Sequence, residues 1–209
     1  MQCCTFPIGP LDTNCYLIYT DKEALVVDPG GPPAPVLDFL KKNNLSLRHI
    51  LLTHLHFDHT FGVHELQKAT GAEAFASGDD SFMLENELGL GGMWGLPKVT
   101  AYEFSPIEPG EHVFLGQNCQ VLPTPGHTPG GLSFYLEAMQ AVFAGDTLFY
   151  RSIGRTDFPG GNHDTLLHAI RTQLFALPDT CMVYPGHGEP STIGDEKRNN
   201  PYVSDFSML

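Results

Sequence analysis

Positive charge is scarce in this sequence. Of 209 residues only 11 are Lys or Arg, against 24 Asp or Glu, which leaves a formal charge of −13. A surface of that sign repels phosphate backbones and anionic lipid, so neither nucleic acid nor a membrane surface is expected as a partner. Charge of either sign is thin, 17% of residues, where ordinary domains carry about 25%. No stretch approaches the ~18 apolar residues of a membrane span. Residues 1–20 show no basic start, no long apolar run and no small-residue cleavage site, so no signal peptide is read. Cysteine is sparse and odd in number: Cys3, Cys4, Cys15, Cys119 and Cys181, with no CxxC spacing. That excludes a disulfide framework and makes the reducing cytoplasm the expected compartment.

Turn formers are plentiful instead, with 22 Gly and 17 Pro. At 42% hydrophobic residues the chain has the composition of a globular protein, and its length suits one domain over 1–209. Residues 14–19 (NCYLIY), 24–27 (ALVV) and 49–52 (HILL) read as strands. A helix opens after Pro32-Pro33 and ends near Asn43-Asn44; another runs over 61–70 to Gly71. A short strand is expected over 72–75. Residues 77–97 show no period. Further strands are expected at 111–115, 119–122, 132–136, 141–144 and 181–184, with an amphipathic helix over 164–175. The tail from Asp195 starts helical and breaks at Pro201. Strands followed by helices, twice over, suggest sheets covered by helices.

The chemistry concentrates in Thr53-His54-Leu55-His56-Phe57-Asp58-His59, directly after an apolar strand. Side chains alternate in an extended chain, so His54 and His56 point the same way and can share one ion. Asp58 and His59 fall where the chain turns into a helix and can face a second ion. Three more turns carry a ligand-type residue just past an apolar strand: Pro125-Gly126-His127, Gly145-Asp146-Thr147 and Pro185-Gly186-His187. Seven ligands make two sites, with His54, His56 and His127 in one and Asp58, His59 and His187 in the other. Asp146 can bridge, since a carboxylate has two oxygens. Imidazole and carboxylate suit zinc, iron and manganese alike, so two divalent cations are expected, zinc first. Metals paired ~3.5–4 Å apart hold a hydroxide between them that is nucleophilic at neutral pH.

HxHxDH followed by GH, GD and GH in this order resembles the metallo-β-lactamase superfamily, from Asp28-Pro29-Gly30 to His187. The resemblance implies an α/β fold, an αββα sandwich of two mixed sheets with helices on the outer faces and metals at one edge. The seven residues match the family's ligands position by position. THxHxDH, TPGHTPGG, GDTLF and GRTDF are most similar to the glyoxalase II group, the hydroxyacylglutathione hydrolases. That implies hydrolysis of S-lactoylglutathione or a related hydroxyacyl thioester by the metal-bridging hydroxide, with Asp58 orienting it. β-Lactamases of this fold usually place a cysteine where Asp146 stands and lack a ligand like His59. The C-terminal glutathione-binding helical domain of two-domain glyoxalase II enzymes has no counterpart after His187. The resemblance is therefore to the short, single-domain bacterial type.

Gly154-Arg155-Thr156-Asp157-Phe158 reads as a substrate loop. Arg155 would hold a substrate carboxylate in its planar fork, with Arg151 and Tyr150 as further candidate contacts. The bland alternative is a surface loop in which Arg155 pairs with Asp157. Met93 and Trp94 are candidate lid residues over the site. Two rival functions stay open. One is a persulfide dioxygenase with a single iron on His54, His127 and Asp146; the other is a metal-bound scaffold without turnover.

Overall fold

A computed structural model describes residues 1–203, apart from the side chain of Trp94. The tail beyond residue 203 and the Trp94 part of the lid reading lie outside the described residues. The chain forms two compact units: Met1–Ile107 with Val113–Gln117, and Glu108–His112 with Asn118 onward. Among the described residues no helix is long and apolar enough to cross a membrane.

The first unit is built on a six-stranded mixed sheet. Its strands are β1 (Gln2–Ile8), β2 (Thr13–Tyr19), β3 (Glu23–Val27), β4 (Ser46–Leu51), β5 (Glu73–Ala76) and β6 (Ser105–Pro106), in that spatial order. β1, β2 and β3 pair antiparallel; β3, β4, β5 and β6 run parallel. Between them lie α1 (Ala34–Lys42), α2 (Phe57–Thr60), α3 (Val63–Thr70) and, after β5, α4 (Glu87–Leu90). A continuous core runs through Leu17, Val26, Ile50, Leu55, Val63 and Leu66, all with no more than traces of exposure. Truncating one such leucine to alanine removes roughly 2–5 kcal/mol, most where the site cannot collapse.

β1 is a strand that sequence patterning does not single out. Its side chains mix exposed and half-buried positions without a clear period and it contains Pro7; as an edge strand it tolerates a residue without an N–H. The helix expected over 61–70 starts two residues later, as α3, and Gly62 separates it from the single turn of α2. The Gly62 N–H bonds the Pro29 carbonyl at 2.7 Å, and a Cβ at Gly62 would press on the Gly31 and Pro29 carbonyls. α3 ends as expected, on a left-handed Gly71 whose N–H returns to the Gln67 carbonyl. The aperiodic 77–97 contains a 3₁₀ segment, Gly78–Glu85, then α4 and a second 3₁₀ turn, Met93–Gly95. Turns this short show no hydrophobic period.

The second sheet has spatial order β14–β13–β10–β9–β8–β7, where β7 is Gly110–Phe114, β8 Gln117–Pro123, β9 Leu132–Leu136, β10 Ala141–Gly145, β13 Met182–Pro185 and β14 Ser191–Thr192. A hairpin of β11 (Leu148–Phe149) and β12 (Ser152–Ile153) projects after β10. α5 (His163–Ala169) runs on into a wider π turn, Ile170–Leu174, and α6 (Ile193–Asn199) closes the described chain. The expected helix over 164–175 is thus α5 plus this turn. Its buried face of Leu166, Ile170 and Leu174 packs with Val142, Ala144 and Val183. The alternation in β9 does not separate inside from outside, because all five residues are buried. Ser133 is accommodated by a 2.9 Å bond to Thr124 Oγ1.

The topology decides where the chemistry sits. In the first unit Val27 of β3 and Leu51 of β4 are register partners in a parallel pair, so the segments leaving both strands emerge at one edge. In the second unit β10 and β13 are parallel with Gly145 opposite Pro185, and β8 shares their direction through antiparallel β9. The carboxyl ends of such strands are where α/β sheets present functional side chains.

Candidate metal centre

After β4 the chain stays extended through His54-Leu55-His56. Leu55 turns into the core with no exposure, and the two histidines take the opposite face, as alternation predicts. His54 Nε2 and His56 Nδ1 lie 3.0 Å apart. His56 then caps α2, which carries Asp58 and His59 on its single turn. His59 Nε2 is 3.7 Å from Asp58 Oδ2, and metal-competent atoms of His54 and His59 fall within 4.8 Å. Asp58 Oδ2 also accepts a long 3.5 Å bond from Thr13 Oγ1.

One residue orients two of these histidines, His59 directly and His54 through Thr53. Asp28 comes directly after β3 and is buried, with a left-handed φ of 49°. Its Oδ1 accepts the Thr53 N–H at 2.8 Å. Its Oδ2 accepts the Thr53 hydroxyl at 2.6 Å and His59 Nδ1 at 2.9 Å. The Thr53 hydroxyl has one proton and gives it to Asp28, so towards His54 Nδ1, 3.0 Å away, it can only accept. Both histidines therefore carry hydrogen on Nδ1 and present the Nε2 lone pair. A carboxylate behind a histidine is how metal sites fix tautomer and ring direction. A signal for it exists: Asp28 is a ligand-type residue just past an apolar strand, the pattern that marks Asp146 and His187. Gly30 completes the fit, because a Cβ there would overlap the Asp58 carbonyl oxygen.

The second unit holds His127, Asp146 and His187, each just past β8, β10 and β13. His127 Nδ1 donates to the Arg155 carbonyl at 2.7 Å. A carbonyl can only accept, so Nε2 again carries the lone pair. That Nε2 is 3.6 Å from Asp146 Oδ2, and His187 Nε2 is 3.8 Å from Asp146 Oδ1. Two histidines thus face the two oxygens of one carboxylate. Gly126 packs where a Cβ would overlap the Leu166 N–H, and Gly154 where one would overlap the Asp146 carbonyl oxygen.

The candidate substrate contacts fall differently. The Arg155 guanidinium is engaged at the surface by Asp157, with two bonds of 2.7 Å, and lies 3.8 Å over the Phe158 ring. The hydrogen bonds from Arg155 hold the Asp157 carboxyl at about 2, below its usual range. Arg151 turns to α6, pairing with Asp195 and Glu196, and its guanidinium lies 4.7 Å from the centre of the Tyr150 ring. Tyr150 is half exposed. The five cysteines are free thiols. Burial pushes Cys3 and Cys119 up to about 12 and Cys181 to about 11.

The donor set fits divalent cations: imidazole lone pairs with assigned tautomers, carboxylates between them, and hydrogen-bond partners behind. The metallo-β-lactamase superfamily model matches residues 8–187. The chain is 38% identical over 208 residues to hydroxyacylglutathione hydrolase GloC of Haemophilus influenzae, covering 96% of this chain and 97% of that protein. Among solved structures it is similar to the BLEG-1 B3 metallo-β-lactamase, with a TM-score of 0.91 and 35% identity over 97% of this chain and 99% of that one. It is also similar to TTHA1623 in a di-iron-bound form, with a TM-score of 0.86 and 35% identity over 96% of this chain and all of that one.

Proposed function

The chain belongs to the metallo-β-lactamase superfamily and is a metallo-hydrolase, and on that footing we propose that it hydrolyses S-lactoylglutathione or a related hydroxyacyl thioester. In this reading the seven donors would hold two divalent cations: His54, His56 and His127 would serve one, Asp58, His59 and His187 the other, and Asp146 would be available to either. When bound, such a pair supplies an acidified water and polarises the substrate carbonyl. The chain's own groups do the rest. Asp58 serves as ligand and as acceptor for the proton of the attacking water. Water adds to the acyl carbon, the C–S bond breaks, and a carboxylic acid and a thiol leave.

The observation that carries this is the tautomer control. Asp28 and Thr53 in the first unit, and the Arg155 carbonyl in the second, turn Nε2 lone pairs of three histidines outward. Histidines that merely stabilised a core would not need that. The substrate class rests on the GloC likeness and on the GDTLF and GRTDF stretches. Asp146, rather than a thiol, speaks against β-lactam opening, while the BLEG-1 likeness makes it the second reading.

The test is S-lactoylglutathione hydrolysis with metals counted on the same sample. Turnover with about two metals per chain is expected. A single iron, with oxygen uptake on a glutathione persulfide, would replace the proposal with the dioxygenase. Two metals with turnover only on a β-lactam would replace it with the second reading.

A further inference from the structure

A buried carboxylate is costly unless its oxygens are hydrogen-bonded and a cation is near. Glu196, in α6, is fully buried and meets both conditions. Its Oε2 accepts the Arg151 N–H at 3.0 Å and Asn200 Nδ2 at 2.8 Å, and its Oε1 accepts Arg151 Nη1 at 3.3 Å. Asn200, equally buried, also donates Nδ2 to the Ser152 carbonyl at 3.0 Å. Arg151 Nη2 reaches Asp195 Oδ2 at 2.8 Å. All of this grips the turn between β11 and β12. Arg151 holds a φ of +58° there, where a residue with a side chain needs outside support.

That turn is the tip of a loop whose ends serve the metal-competent residues. Asp146 stands at one end. At the other stands Arg155, whose carbonyl fixes His127. The neck is closed by Gly154 N–H on the Thr147 carbonyl at 3.4 Å and by the close seating of Gly154 on Asp146. Phe149, in β11, places its ring edge-on to His187 at 6.3 Å. Asp146 and His127 thus both depend on one loop, which also reaches His187 through Phe149.

We infer that Glu196 and Asn200 are positioning residues for the metal centre: with Arg151 they clamp the tip of the 146–155 loop and so hold Asp146 and His127 in place for an ion. The inference rests on the metal reading above, and it assigns Arg151 to this clamp rather than to substrate.

The experiment measures zinc affinity of the metal-free protein by competition with a chromophoric chelator, for wild type, Glu196→Gln and Arg151→Gly. Thermal melting of each metal-free form reports folding. Glu196→Gln keeps the shape but turns an NH₂ group towards one of the present donors. Arg151→Gly removes the guanidinium while glycine takes the left-handed turn without strain. Both should bind zinc about tenfold or more weakly, the range of outer-shell changes, and Arg151→Lys should recover part of the loss. A cooperatively melting Glu196→Gln with wild-type zinc affinity overturns the clamp. If that variant does not fold, Arg151→Gly decides: full zinc affinity with only a raised KM overturns it in favour of a substrate contact. A wild type that binds no zinc sinks the metal reading itself.

Discussion

His54, His56, Asp58 and His59 fall within six residues, whereas His127, Asp146 and His187 come from three separate loops. The two units orient these donors by different means. In the first, a side chain does it: the Asp28 carboxylate holds His59 directly and His54 through Thr53. In the second, main chain does it: the Arg155 carbonyl holds His127, and glycines at 126 and 154 let backbone segments approach closely. Two members of a contiguous donor set can thus be oriented by one well-placed side chain. A dispersed set needs parallel strands to bring loops to one edge, and then a device that holds a loop still. Side-chain control is removed by changing the carboxylate itself; main-chain control can be disturbed only through the residues that seat the loop, such as the glycines at 126 and 154.

The largest effect is expected at Asp58, which the proposed function makes both ligand and proton acceptor. Asp58→Ala should lose at least one metal per chain and lower kcat/KM by more than ~100-fold, beyond the outer-shell range. Metal analysis and thioester kinetics on one preparation check it, and full activity at full metal content would contradict the assignment.

Next comes the side-chain hub. Asp28→Asn keeps one acceptor oxygen of two, so its NH₂ group faces either the Thr53 N–H or the Thr53 hydroxyl and His59 Nδ1. Zinc affinity should fall ~10–100-fold, and stability by about 1–3 kcal/mol, as for a buried polar group left unsatisfied. Chelator competition and chemical denaturation measure the two. Unchanged affinity would break the contrast between the units.

The smallest effect tests the main-chain side. In Arg155→Ala the carbonyl that holds His127 persists, so metal affinity should stay within about twofold, while a raised KM would reveal a carboxylate contact with substrate. The same variant releases Asp157. Its folded-state carboxyl titrates at about 2, below the ordinary ~3.9. The Arg155 contact therefore contributes above pH ~4 and is lost as pH falls through about 2. Both groups are exposed, so little stability is at stake. Carbon-detected NMR titration should show Asp157 returning to the ordinary range in the variant.

How much of the site is legible in the sequence depends on how local each feature is. Alternation alone places His54 and His56 together with Leu55 turned away, because that is a property of any extended chain. The strand-then-glycine turns mark His127, Asp146 and His187 for the same reason. Asp28 carries the identical mark, but Asp-Pro-Gly also spells an ordinary turn, and the turn reading hides the carboxylate. The Arg155–Asp157 pair, two residues apart, is legible as the surface-loop alternative, but the role of Arg151 is not. A guanidinium pairs with whichever carboxylate the fold brings within reach, and Asp195 and Glu196 lie more than forty residues along the chain.

By itself the sequence determined the donor types, their positions past strand ends, the glycines that let those turns form, and an acidic surface unsuited to polyanions. Those depend on residue chemistry and on periods of two or three residues. Only the tertiary structure decided which imidazole nitrogen faces outward, which carboxylate stands behind which histidine, and that α6 grips the loop after Asp146. Those depend on hydrogen bonds that work only within about 3 Å. Residues far apart in the chain come that close only once the strands have paired in register.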